Sequence, residues 1–114
     1  MVQEKKRVIQ EYVPGKQLTL AHVIANPLEI ICEQLGLEEG CESIGIMTIT
    51  PGEAAIIAAD AATKAADVSI GYVDRFGGSL VLTGDVASVD AAVIEVRSLL
   101  ENTLKFAVVD ITRS

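Results

Sequence analysis

The spacing of apolar residues changes several times along the chain, and each change marks an element. Residues 8–13, Val-Ile-Gln-Glu-Tyr-Val, read as a short strand that ends at the turn signal Pro14-Gly15. Apolar residues on both of its faces leave it without an obvious partner. Residues 17–25 alternate as a second strand. The alternation puts Leu18, Leu20, His22 and Ile24 on one face and Thr19, Ala21, Val23 and Ala25 on the other. Asn26-Pro27-Leu28-Glu29 then predicts a helix start, with Asn as cap, Pro at the first position and Glu at the third. Leu28, Ile31, Cys32 and Leu35 form the apolar stripe of that helix, and Gly36 can end it. Glu38 to Ser43 is a polar connection into a strand over 44–50.

Thr50-Pro51-Gly52-Glu53 repeats the helix-start logic, with Thr50 and Glu53 able to form a capping box. The helix that follows, 51–66, has very little polar surface. Glu53, Asp60, Thr63, Lys64 and Asp67 share one narrow stripe, and the rest is Ala and Ile. A surface helix normally shows one apolar stripe and a broad wet face. This one is therefore expected to be covered on more than one side, in part by another copy of the chain. Val68 to Val73 is a strand, Phe76-Gly77-Gly78-Ser79 a hairpin signal, and Leu80 to Thr83 the return strand. Asp85 is placed to cap a helix in which Val86, Val89, Val93, Val96 and Leu100 recur at helical steps. Phe106 to Ile111 alternates as a closing strand. From 44 to 111 the order is βαββαβ, an α+β, ferredoxin-like arrangement.

Composition narrows the function. The 114 residues fit one domain, half hydrophobic but only 4% aromatic, which suits close packing better than ligand anchoring. A net charge of −7 argues against nucleic-acid binding. The basic run Lys5-Lys6-Arg7 reads as a solvated tail. No stretch has membrane length and no signal-peptide pattern precedes the domain, so a cytoplasmic protein is expected, with no membrane partner. Two cysteines are too few for a zinc site. Their number allows one disulfide, but the expectation is two reduced thiols, with Cys32 packed as a small hydrophobe.

Candidate chemistry is sparse. His22 shares its predicted face with leucines and an isoleucine and is expected to be a hydrogen-bonded core residue rather than a base. Asp60 and Lys64 stand four apart, the spacing of an ordinary helix-surface pair. Gly77-Gly78-Ser79 lacks the helix start and Lys that a phosphate loop requires, and Asp74 and Arg75 read as ordinary loop charges. No carboxylate pair, metal cluster or cofactor fingerprint stands out. The chain does not read as an enzyme, and no cofactor is expected.

The stretch IGIMTITPGEAAIIAADAATKAADVSIGYVDRFGGSLVLTGDVASVDAAV, residues 44–93, resembles the core of bacterial microcompartment shell proteins. The N-terminal part, VIQEYVPGKQLTLAHVIANP, resembles the circularly permuted members of that family, of the ethanolamine- and propanediol-utilisation type. In unpermuted members the strand and helix matching 17–36 come last. The resemblance implies a cyclic homohexamer tiling into the shell of a metabolic organelle in the cytoplasm, alongside other shell proteins and encapsulated enzymes. It implies that the hairpin Arg75, Phe76, Gly77, Gly78 and Ser79 faces the six-fold axis, and that Lys64 packs at hexamer–hexamer edges. It also implies that Val8, Ile9, Gln10, Glu11, Tyr12 and Val13 supply one strand each to a six-stranded β-barrel capping the pore. Residues 1–15 would then be tail and barrel strand, and 16–114 the permuted shell domain. Residues 106–111 also resemble the strand that 17–25 would supply, so which of them borders the central strand stays open. The rival reading is an oligomeric ferredoxin-like domain that binds a regulatory ligand.

Overall fold

A computed structural model of the chain describes residues 15–37 and 41–114. The strand expected over 8–13 and part of the polar connection, residues 38–40, lie outside the described residues. The elements are β1 (Gln17–Ala25), α1 (Glu29–Gln34), β2 (Ser43–Thr50), α2 (Ala54–Ala65), β3 (Ser69–Asp74), β4 (Ser79–Gly84) and α3 (Val86–Ser98). A wider π-helical turn, Leu99–Thr103, continues α3, and two short strands follow, β5 (Ala107–Val108) and β6 (Thr112–Arg113).

The sheet runs β3-β4-β2-β1-β5, with β6 also on β1. β1 lies antiparallel to β2 from Gln17 opposite Thr50 to Ala25 opposite Ser43. This answers which strand borders the centre: β1 takes that place. The chain end lies outside it, as two-residue pairings parallel to β1 rather than one continuous strand over 106–111.

α2 and α3 cover one face of the sheet. The core between them joins Leu18, Ala21 and Val23 of β1, Met47 and Ile49 of β2, Leu80 and Leu82 of β4, and the buried stripes of the two helices. Those stripes are Ala54, Ala58 and Ala62 on α2, and Val89, Ala92, Val93 and Val96 on α3. α3 lies so close to β2 that a Cβ on Gly45 would sit 3.0 Å from a methyl of Val89 and 3.1 Å from one of Val93. The buried alanines of α2 therefore face the chain's own core, and the large apolar residues left exposed on that helix are Ile56 and Ile57, beside the polar Asp60, Thr63 and Lys64.

Three local expectations are corrected. Thr50 does not cap α2, because it is still held in the β-ladder opposite Gln17. α2 starts at Ala54 behind Glu53, with no side-chain cap, and its first amides donate to the carbonyls of Pro51, Gly52 and Glu53. The Thr50–Pro51 peptide is cis. Likewise α1 starts behind Leu28 rather than Asn26. Asn26 adopts a left-handed turn conformation, and its N–H reaches the Glu42 carbonyl. Finally, a bulge between Leu18 and Leu20 shifts the phase of β1. Leu18 joins Ala21 and Val23 in the core, and His22 moves to the opposite face, half-buried. There its Nδ1 lies 2.6 Å from Thr112 Oγ1 and its Nε2 2.8 Å from Ser114 Oγ. It is hydrogen-bonded as expected, but to the chain end and not within the core.

The cysteines are also corrected. α1 turns back toward the start of β2, bringing the Cα atoms of Cys32 and Cys41 to 6.5 Å, and the two are joined by a disulfide. Of the expected apolar stripe on α1, only Cys32 is buried, while Leu28, Ile31 and Leu35 are exposed. Gly36 does end the helix, at φ +73°.

Candidate functional site

The hairpin between β3 and β4 is built by Asp74. Its carboxylate accepts from the Phe76 N–H at 2.9 Å, and its carbonyl accepts from the Gly78 N–H at 2.8 Å. Asp74 is thus the residue that folds the turn, not an ordinary loop charge. The signal was present in the sequence, since an Asp two residues before an amide it can accept from favours such a turn. The Gly78 carbonyl in turn accepts from the Ile49 N–H at 2.8 Å, tying the tip to the end of β2. Gly78 sits at φ +82°, and a Cβ there would run into the Ile49 carbonyl oxygen. A Cβ on Gly52 would lie 2.6 Å from the Phe76 carbonyl oxygen, so the start of α2 closes on the hairpin from the other side.

On this clamped backbone, Arg75 and Phe76 project outward. Phe76 is 82% exposed, and the Arg75 guanidinium carbon lies 4.8 Å from its ring centroid. Ser79 is half-buried at the first position of β4. Beside the hairpin runs an open groove of about 330 Å³, lined by Ile56, Tyr72, Val73, Asp74, Arg75 and Phe76. β3 is an edge strand with Ile70, Tyr72 and Val73 all exposed. Ile56, Tyr72, Val73 and Phe76 thus put apolar side chains side by side in the groove, and Ile57 of α2 is exposed as well. Such surfaces on small soluble chains mark contacts with other proteins. The sequence reading assigned no role to Ile56, Tyr72 or Val73.

Lys64 lies elsewhere. It is exposed on the last turn of α2, with its Nζ 2.9 Å from Asp60 Oδ2, and it lines a shallow cleft of about 350 Å³ with Ala61, Ala65, Glu95 and Leu99. Gly52 touches the hairpin, and Lys64 is twelve residues further along. At 1.5 Å per residue the two sit roughly 18 Å apart along the helix axis. The hairpin and Lys64 therefore occupy opposite ends of α2. The predicted barrel residues Val8 to Val13 fall outside the described residues.

Asp85 caps α3 as expected. Its carboxylate accepts from the Ser88 backbone N–H at 2.8 Å and from the Ser88 hydroxyl at 2.9 Å. These bonds, the backbone one first, hold its carboxyl below the usual value. Among the described residues no three His, Cys, Asp or Glu side chains gather to hold a metal ion. Among them also, no helix is long and apolar enough to cross a membrane.

The BMC domain family matches residues 43–112. The bacterial microcompartment shell protein PduU of Salmonella typhimurium is 54% identical over 108 residues, covering 95% of this chain and 93% of that one. The shell protein EutS of Escherichia coli strain K12 is 50% identical over 111 residues, covering 97% and 99% respectively. Among solved structures, the CutR flat hexamer, form 1, superposes with a TM-score of 0.85 at 48% identity, over 95% of this chain and 99% of that one.

Proposed function

The chain belongs to the bacterial microcompartment shell family, and on that premise we propose that six copies close into a ring with the 75–79 hairpin at its centre and Lys64 at its rim. The protein is a structural shell subunit. The observation that carries the finer reading is the placement of hairpin and lysine at opposite ends of one helix. In a radial wedge, one end lines the axis and the other meets the next ring. A closed ring of one chain needs two different, complementary patches on each subunit. The groove around Ile56, Tyr72 and Val73 is one of them, and the neighbouring subunit covers it.

The N-terminal strand completes the assembly in this reading. β1 comes first in the chain yet fills the sheet position beside β2, which fits a circularly permuted shell domain over 16–114. Residues 8–13 then rise from it, and six copies pair around the axis as a parallel barrel over the pore, leaving no open strand edge. Val8, Gln10 and Tyr12 face inward and Glu11 faces solvent, since six carboxylates inside a narrow barrel would repel one another. The role is structural and non-catalytic. The rings tile with other shell proteins of a cytoplasmic microcompartment and enclose its enzymes.

Electron microscopy of cells overproducing the protein tests this. The wild type is expected to form sheets, tubes or polyhedra, and Lys64→Ala to keep the ring but assemble more weakly, since an edge contact repeats across a lattice. Discrete rings alone from the wild type, or unchanged sheets from Lys64→Ala at equal concentration and salt, would count against the tiling and the edge role respectively. Deleting residues 1–13 should leave a ring with an open passage at the hairpins. Loss of the ring on that deletion would make the strand part of the ring contact instead.

A further inference from the structure

The segment between β1 and β2, residues 26–42, is an excursion closed at its neck. The Asn26 N–H donates to the Glu42 carbonyl at 2.8 Å, and the Ser43 hydroxyl donates to the Ile24 carbonyl at 2.9 Å. Beyond the neck, three observations show what the excursion covers. Gly45 faces the valines of α3, so strand alternation puts its neighbour Ile44 on the opposite face of the sheet. Among the described residues no long helix covers that face, yet Ile44 is fully buried. A Cβ on Gly71 would meet the Leu37 side chain at 2.6 Å, so the residue just past α1 lies against β3. The α1 excursion is therefore a flap over the outer face of the sheet.

Among the described residues beyond the neck, Leu37 and the disulfide are what tie that flap down. Cys32 is the only residue of α1 that is buried, and Leu28, Ile30, Ile31 and Leu35 stay exposed. The Cys32–Cys41 bond joins the middle of the flap to the strand end that carries Ile44. Cys32 is 1% exposed, while Cys41 is half-buried and open to solvent. Next to Cys32 the surface dips into a cleft of about 240 Å³ lined by Glu29, Glu33, Gly36 and Leu37, so the flap is not packed solid around the bond.

We propose that Cys32–Cys41 is a reversible redox clasp: a dithiol reductant opens it at Cys41 and so frees the α1 flap from the sheet. A thiolate of the dithiol attacks the sulfur of Cys41, the more exposed of the two cysteines, and the S–S bond breaks with Cys32 leaving as thiolate. The second thiol of the dithiol then attacks its own sulfur in the mixed disulfide and releases Cys41. The dithiol is oxidised to its cyclic disulfide, two electrons pass to the protein, and its two protons end on Cys32 and Cys41. The neck hydrogen bonds persist, so loosening is confined to α1 and the residues around it, and the core under α2 and α3 is untouched.

The test uses the full chain, oxidised in air and then treated under native conditions with dithiothreitol. Intact mass after iodoacetamide should show no alkyl groups before the dithiol and two after it. Hydrogen exchange of amides 29–37 should then speed up by roughly tenfold or more, while β2 and β4 stay protected. A Cys32→Ser/Cys41→Ser chain should exchange like the reduced protein in both buffers. Three results would each overturn the clasp: two alkyl groups on the air-oxidised chain, a bond reducible only in denaturant, or flap exchange unchanged by reduction. The readout is local to amides 29–37, so it is independent of whether rings or sheets form.

Discussion

Replacing Gly78 by alanine tests the clamp on the hairpin. Gly78 holds φ +82° with its would-be Cβ driven against the Ile49 carbonyl, and its own carbonyl accepts the Ile49 N–H. A non-glycine residue in the left-handed region costs about 1–2 kcal/mol. Moving the tip away from Ile49 also loses a backbone hydrogen bond worth about 0.5–1.5 kcal/mol. The stiffer unfolded chain returns about 0.4–1 kcal/mol. The expected net loss, with the clash, is about 2–3 kcal/mol. An unfolding entropy of about 2.1 cal/mol/K per residue means that each kcal/mol moves the midpoint about 4 °C in a chain of 114 residues. Gly78→Ala should therefore melt about 8–12 °C lower by calorimetry or circular dichroism at fixed protein concentration. Gly36→Ala is the matched control. It has φ +73° but open space within 4 Å, so it bears only the conformational cost, less the unfolded-state gain. It should lose about 2–4 °C. Equal losses at the two positions would refute the claim that β2 clamps the tip.

The remaining predictions separate the core from the contact surface and probe one cap. Ala58→Glu, at a fully buried position, should prevent the chain itself from folding, because an unpaired buried carboxylate costs several kcal/mol. Ile56→Glu, at an exposed position of the groove, should give a folded chain that no longer closes into rings. Gel filtration with circular dichroism distinguishes the two, and a soluble folded Ala58→Glu monomer would contradict the core assignment. Asp85→Ala should melt below the wild type at neutral pH. Because the native carboxyl is held below 3.8, its contribution is complete above that value and fades as acid titrates the native form. The gap between wild type and variant should narrow below that pH, and a gap constant into strong acid would refute the cap's electrostatic part.

Most of the α+β order was legible because the signals that announce it are local. The alternation in 44–50 and 80–83, the valine steps of α3 and the Asp85 cap depend on neighbours within a few residues. What was misread depends on contacts across the chain. Thr50 carries cap chemistry, but its place in the ladder opposite Gln17 takes precedence. A one-residue bulge in β1 moves His22 from the core to the outer face, and strict alternation cannot reveal it. The choice between β1 and the chain end for the place beside β2 rests on long-range pairing. The disulfide depends on how α1 turns back, and the sequence pattern of 29–36 gives no direction for that turn. At the hairpin, Gly-Gly announced the turn, while the groove of Ile56, Tyr72 and Val73 arises only when α2 and β3 are brought side by side.

Closure of six copies into a ring is the central expectation. Native mass spectrometry of the purified chain at micromolar concentration should show six copies of the 12.0 kDa chain as the main species, about 72 kDa, and Ile56→Glu should collapse it to monomer. A wild-type spectrum dominated by the 12.0 kDa monomer would contradict the account.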